Sequence, residues 1–422
     1  KDIDAYDWRE QTFAAICAQN SRNGFRVDIP KATARRDMLE DRKAQLMSRL
    51  VADYGFPTSG KKPWMSKVGK QVIFQILEDN GITAETKPDW KRTDTGNLSL
   101  GGDVIKELTM GTDVEELGES LAELMGQRTL AQLTLDCLKS DGKVHPDITF
   151  LQRSGRLSTT KPGLTVWSSR DPKKAVDKGY YIPDDEDSYI LGFDFSNADA
   201  RVVAAASGDE VYGARFVPDP ETGEEPDGHM INAYLVFGEE LVDSNPKKYR
   251  NDAKACSHAW NYGGGVGAIL RATHGAVSEQ TAQRFVDKMA DAFPKLVRWQ
   301  NFIRNEGNKG YIYNDWGRKM IVDVEHSYTQ SPALIGQSGT REIMVDGLIK
   351  MLHRDISVIQ MLKAQIHDEL LFSIPSARLD EVRDVIKDCM QTDWEPKDGR
   401  GQKIPFPVAS SKPSKSWEEA GH

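Results

Sequence analysis

In Gln365-Ile366-His367-Asp368-Glu369-Leu370-Leu371-Phe372, apolar strand-forming residues stand on both sides of the polar triplet His367-Asp368-Glu369. Upstream lies Val358-Ile359-Gln360-Met361-Leu362, and downstream the run continues to Ser373-Ile374, so two strands are predicted to meet through a tight turn. The carboxylates would then sit at or near the tip of a β-hairpin. An ordinary polar turn has the same pattern, yet a carboxylate at such a tip also suits a hard divalent cation, which takes oxygen ligands. A second carboxylate stands in a similar setting. Tyr189-Ile190-Leu191-Gly192-Phe193 is a short apolar run that ends at Asp194, which is either a solvated strand cap or a partner for the first. Two strand-end carboxylates from distant parts of a chain can converge on two metal ions about 3.5–4 Å apart, an arrangement suited to in-line phosphoryl transfer.

A third segment is Arg250-Asn251-Asp252-Ala253-Lys254-Ala255-Cys256-Ser257-His258-Ala259-Trp260-Asn261-Tyr262-Gly263. Arg250, Lys254, His258 and Tyr262 recur every four residues and form one slowly winding stripe on a helix. Charges at this spacing are common on solvated helix faces. The order cation, cation, ring, ring also matches a molecule with phosphates at one end and a base at the other. Gly263-Gly264-Gly265-Val266-Gly267 should end or bend that helix, and no Gly-Lys-Ser/Thr follows to make a P-loop.

The remainder of the chain is consistent with a globular enzyme. Its 422 residues carry 55 basic and 64 acidic side chains, a net charge of −9, with 39% hydrophobic residues. That excludes a single small binding module, and the acidic balance by itself disfavours non-specific binding to a polyanion. No run of about eighteen apolar residues marks a membrane span, and Lys1-Asp2-Ile3-Asp4 is too polar to begin a signal peptide. Cys17, Cys137, Cys256 and Cys389 are scattered, which fits a reducing cytoplasm better than a disulfide framework or a zinc site. Up to about residue 150 the texture is helical, with Asp28 as a cap and Pro30 in the first turn of one helix and a second pattern over Val114–Leu138. Helical patterns return from about 229 to 308, and strand signals follow at Tyr311-Ile312-Tyr313 and Met320-Ile321-Val322.

Together these blocks resemble family A DNA polymerases, the DNA polymerase I family, over almost the whole chain and in the family's order. Asp194 to Arg201 is similar to motif A, Arg250 to Gly263 to motif B, and His367-Asp368-Glu369 to motif C. Gly155-Arg156-Leu157-Ser158, Asp227-Gly228-His229, Gly317-Arg318, Gln337-Ser338 and Ser416-Trp417-Glu418-Glu419-Ala420 add landmarks. The resemblance implies an α+β fold of right-hand polymerase architecture, with an antiparallel palm sheet, helical fingers and a helical thumb. It divides the chain into a lead-in (1–22), thumb (23–150), first palm segment (151–225), fingers (226–321) and second palm segment (322–422). Asn23-Gly24-Phe25-Arg26-Val27-Asp28 and Thr93-Asp94-Thr95-Gly96 look like the beginning and the tip of the thumb.

The implied activity is template-directed DNA synthesis in replication or repair, using primer-template DNA and deoxynucleoside triphosphates and releasing pyrophosphate. By the same resemblance Asp194, Asp368 and the backbone carbonyl of Phe195 bind two magnesium ions, with manganese as a substitute, and Lys254 joins the two aspartates as catalytic. Arg250, Lys254, His258, Tyr262, His229 and Asp199 face the nucleotide. Arg156, Gln337, His367 and Arg318 face DNA, while Glu369, Arg201 and Gly263 support. Local basic sites at Lys61, Lys62, Lys91 and Arg92, and at Arg156, Arg250, Lys254 and Arg318, would offset the overall negative charge. A monomer in a bacterial or infected-host cytoplasm is expected, without a membrane.

Several positions depart from the family pattern. Asp199 stands where glutamate is usual, which predicts weaker exclusion of ribonucleotides. His258 replaces the usual Phe or Tyr, which leaves behaviour toward dideoxynucleotides open. Lys161-Pro162-Gly163-Leu164-Thr165-Val166-Trp167 replaces a segment that usually holds an asparagine template contact. These departures point to a bacteriophage type. No exonuclease segment is expected in this chain, and the expected lack of a thioredoxin-type processivity insertion predicts distributive synthesis. A two-metal phosphohydrolase and a non-catalytic duplex-binding protein are the alternatives; neither needs the full set of Asp194, Asp368 and the Arg250/Lys254/Tyr262 stripe.

Overall fold

The computed structural model describes residues 3–93, 95–126, 130–166, 175–273 and 277–420. Ser188–Phe195 (β1), Leu362–Ile366 (β2), Glu369–Pro375 (β3) and Val408–Ser410 (β4) form an antiparallel sheet in the order β4-β1-β3-β2. The predicted hairpin is present, with His367 and Asp368 as its turn. His367 adopts φ +57, a left-handed conformation that histidine tolerates better than most non-glycine residues. Leu191, Phe193, Leu370, Phe372 and Ile374 are fully buried on one face, and Ile190 and Leu371 on the other, so a slip of one residue would exchange two differently packed faces and the core fixes the register.

One expected strand is a helix. Val358-Ile359-Gln360-Met361 lies in Ile356–Met361, and β2 begins only at Leu362. The reason is local: the Asp355 side chain accepts the Ser357 N–H at 2.9 Å and caps the turn. A short apolar run cannot by itself distinguish a buried helical turn from a strand. Similarly, among the described residues Val114–Leu138 holds two helices, Glu115–Gly126 and Leu130–Asp136.

The chain divides into two compact units, Val27–Leu138 and the combination of Lys1–Arg26 with Lys139–His422. The first is helical. Its helix Ile29–Tyr54 begins where Asp28 and Pro30 predict, with Asp28 Oδ1 accepting from Lys31 N–H at 3.0 Å. Its core gathers Leu46, Leu50, Trp64, Ile73, Leu77, Ile105, Leu117 and Leu121. This unit is shorter than 23–150 because Phe25–Val27 pairs with Lys143–Val144, which draws both flanks into the second unit.

That second unit contains the residues of 151–225, 226–321 and 322–422. Its helices include Ile3–Asn23 (α1), Ala198–Ser207 (α2), Gly228–Phe237 (α3), Pro246–Asn261 (α4), Pro294–Gly307 (α5) and Ser327–Arg354 (α6). Helix α1 contributes Phe13, Ile16 and Cys17 to the same core as the sheet. It is also held by a buried ionic network: Arg9 pairs with Glu342 and Asp346, and Arg341 donates to Glu10 at 2.5 Å. The fully buried Glu342 additionally accepts from Asn314 at 3.2 Å. An isolated buried charge would be costly, but here each has partners. Among the described residues no helix is long and apolar enough to cross a membrane, and no disulfide joins the cysteines.

Candidate active site

The sheet brings the two strand-end carboxylates together. Glu369 lies directly opposite Asp194 across β1 and β3, Ala409 flanks Asp194 on the other side, and Asp368 is the last turn residue before Glu369. Phe195 N–H donates to the Asp368 carbonyl at 3.4 Å. Burial, reinforced by Asp368 and Glu369, pushes the Asp194 carboxyl up to about 8. Asp368 is raised by burial and by Asp199. Burial raises Glu369 to about 7, opposed by the buried Lys178 ammonium, which lies 4.7 Å over the Trp417 ring. Glu369 occupies space left by Gly192, where a Cβ would fall 2.7 Å from its Oε1.

Crowded acids whose negative charge is this poorly compensated form a suitable seat for hard cations. The donors present, two carboxylates and the Phe195 carbonyl, are of the right chemical type. Among the described residues no three His, Cys, Asp or Glu side chains are arranged to hold a metal by themselves. A cation held here would need further oxygen ligands from outside these side chains.

A pH dependence follows. A carboxyl raised in the folded state contributes stability that is complete below its unfolded pKa and is lost as pH rises through its folded pKa, here about 7 to 8. Without divalent cations, Tm should fall from about pH 6 to about pH 9, and magnesium should raise Tm more at the upper pH. Equal magnesium shifts at both pH values, measured by calorimetry, would rule this out.

The predicted stripe lies on α4. Asn245 caps this helix through the Lys248 N–H at 3.2 Å, and Pro246 opens its first turn. Ala253, Cys256, Ser257 and Trp260 bury one face, and Asn232 of α3 donates to Ser257 at 2.7 Å. Lys254 and His258 are exposed on another face, and Lys254 makes no ion pair among the described residues. Arg250 Nε donates to Asp227 at 2.6 Å. Asp227 caps α3 and thereby places His229, whose buried Nδ1 has no hydrogen-bond partner. Burial and the charges of Lys254 and Arg250 lower the His229 pKa, so a neutral imidazole faces two cations.

The helix ends at Asn261, one residue before Tyr262. The His258 and Tyr262 rings meet edge to face at 4.9 Å. Gly263 has φ +78, and a Cβ there would lie 2.7 Å from Arg304 Nη2 and 3.1 Å from the Tyr328 carbonyl, so this position requires glycine.

Asp199 links the stripe to the acids. Arg156 Nη2 donates to both of its oxygens, at 2.7 and 2.8 Å, and the Tyr262 hydroxyl and the Thr340 Oγ1 donate as well, the latter at 2.6 Å. Burial and the negative charges of Asp199 and Asp368 hold the Tyr262 hydroxyl protonated. His367 is exposed in the turn, and Gln337 is half-buried on α6. Arg201 is fully buried, bonded to the Ser196, Phe216 and Pro405 carbonyls and to Glu225, and thus supports from beneath. The Arg318 guanidinium is engaged within the fold by Tyr6, Glu10 and the Phe150 carbonyl. Asp94 and Trp167 lie outside the described residues.

Thr340 and Lys178 were not anticipated. Thr340 lies three residues beyond Gln337 on the same helix, a spacing that could have drawn notice. Lys178 carries no comparable signal: nothing in Asp177-Lys178-Gly179 points to an acid almost two hundred residues away.

The family model described as DNA polymerase family A matches residues 70–419. DNA polymerase I of Streptococcus pneumoniae is 25% identical over 343 residues, covering 76% of this chain and 37% of that protein. The DNA polymerase of Mycobacterium phage L5 is 24% identical over 395 residues, covering 92% of this chain and 59% of that protein. This chain thus spans less than two thirds of these relatives. Its fold is that of a solved structure described as the POL domain of Pol1 from M. smegmatis in complex with DNA primer-template and dNTP. The TM-score is 0.80 at 18% identity, over 98% of this chain and 70% of that one. With the family match extending over most of its length and containing all three motif blocks, this chain belongs to DNA polymerase family A.

Proposed function

We propose that this chain is a template-directed DNA polymerase that adds deoxynucleotides to a primer 3′-hydroxyl and releases pyrophosphate. The observation that carries the proposal is the convergence of Asp194 and Asp368, two poorly compensated strand-end acids, with the cationic stripe through Asp199 and Tyr262. The DNA and nucleotide in the structural neighbour support the same substrates here. Asp194, Asp368 and the Phe195 carbonyl would hold two magnesium or manganese ions, which supply Lewis acidity toward the attacking hydroxyl and the phosphates.

The remaining work belongs to the protein's own groups. Lys254 and Arg250 neutralise the triphosphate, and Lys254 stabilises charge that develops on the departing pyrophosphate. For Arg250 this means exchanging its Asp227 partner for phosphate. The unpartnered His229 Nδ1 offers a further polar contact. His258 and Tyr262 border the sugar and base, with Gly263 leaving room beside them. Arg156, Gln337, His367 and Arg318 are assigned to primer and template, where backbone contacts position without reading sequence, although for Arg318 this means giving up Tyr6, Glu10 or the Phe150 carbonyl. The segments 23–150 and 226–321 are assigned as thumb and fingers, and 151–225 with 322–422, which carry the sheet, as palm.

The test is primer extension with magnesium and all four deoxynucleoside triphosphates. Template-dependent elongation is expected. Phosphate release without elongation would favour a phosphohydrolase, and duplex binding without either reaction would reduce the protein to a binder.

A further inference from the structure

We propose that Thr340 is a positioning residue for sugar selection, its hydroxyl fixing the Asp199 carboxylate where the 2′ position of the incoming nucleotide passes. The inference rests on the polymerase reading and deepens it. A nucleotide whose reacting phosphate lies at Asp194 and Asp368, whose tail meets Arg250, Lys254 and His229, and whose base borders Tyr262 must have its sugar between these points. Asp199 occupies that interval: it acts electrostatically on Asp368 and is bonded to Tyr262.

An aspartate is short, so its reach depends on what orients it. Three side chains do so, and they differ in kind. Arg156 and Tyr262 belong to surfaces assigned to DNA and base, so their bonds to Asp199 are exposed to change when substrates arrive. Thr340 is 1% exposed, and its 2.6 Å bond to Asp199 Oδ1 comes from the interior of a long helix. That helix has little freedom to drift. At Gly339 a Cβ would lie 2.5 Å from Val202, and at Gly336, one turn before Thr340, it would lie 3.4 Å from the Asp199 carbonyl oxygen and 3.7 Å from the Tyr262 ring. The close approach at Gly339 holds the helix that carries Thr340 against the one that carries Asp199, and Gly336 is in ordinary contact with Asp199 and Tyr262 one turn earlier. Thr340 is therefore the anchor that persists through the cycle.

Single-nucleotide incorporation by Thr340→Val, Thr340→Ser and the wild type should be measured with deoxy- and ribonucleotides. Valine keeps the shape and removes the donor; serine keeps the donor. Loss of a hydrogen bond to a charged group should lower the ratio of kcat/KM values, deoxy over ribo, by about tenfold in Thr340→Val. Most of the change should appear as improved ribonucleotide use, with Thr340→Ser within about twofold of wild type. An unchanged ratio in Thr340→Val overturns the proposal, as does an equal loss in Thr340→Ser or a parallel fall for both sugars, which would mean packing alone. If valine prevents folding by its Tm, Thr340→Ala repeats the same comparison. A wild type that extends no primer would instead refute the polymerase reading itself.

Discussion

Asp368→Asn should lower nucleotide incorporation by about 10³- to 10⁴-fold while leaving affinity for primer-template within about threefold. Metal-assisted stabilisation of phosphoryl transfer contributes several kcal/mol, and each 1.36 kcal/mol is tenfold in rate, which gives that range. The substitution is nearly isosteric, and the side chain sits at the outer turn of a hairpin whose register is held by Leu370 and Phe372, so the strands should remain in place. The sign of the stability change provides the control. Removing one of several crowded acids relieves repulsion on Asp194, so the metal-free variant should unfold at the same or a higher temperature than the wild type. An incorporation rate near that of wild type would remove Asp368 from the metal site. A lowered Tm accompanying lost activity would attribute the loss to misfolding.

Lys254→Ala should lower kcat/KM for the incoming nucleotide by about 10²- to 10³-fold, the usual loss when one preorganised donor to a developing negative charge is removed. Lys254 is exposed, unpaired among the described residues and flanked by the neutral His229, so nothing else in the described site can replace its charge without moving. Arg250 can do so only by giving up Asp227. Lys254→Arg should recover part of the loss by restoring charge without the compact ammonium. Single-turnover kinetics would separate the possibilities: a defect confined to primer-template affinity would place Lys254 on DNA and not on the triphosphate.

Much of this site was legible in the sequence because its parts are local. The hairpin announced itself by apolar runs around His367-Asp368-Glu369, and the stripe by its four-residue spacing closed by Gly263. The fold class was implied by the family resemblance that these blocks carry. What could not be read is what the tertiary fold alone assembles. Asp199 is the focus of residues 156, 262 and 340, three segments whose meeting leaves no mark in any one of them. Val358-Ile359-Gln360-Met361-Leu362 reads as a strand but is helical up to Met361, because burial on one side of a short helix produces the same apolar run, and Asp355 as a cap is the local signal for the helix.

The ionic network on α1 also constrains the protein during synthesis. Arg9 and its partner Glu342 are separated by 333 residues. At a ribosomal rate of roughly 5–20 residues per second, α1 waits about 20 to 70 seconds before the helix that neutralises it exists. Through that interval Val27–Leu138, contiguous in the chain, can already gather its own core. Helix α1 thus finds its place only long after it is made, and until α6 has emerged Phe13, Ile16 and Arg9 lack the partners that bury and neutralise them in the fold.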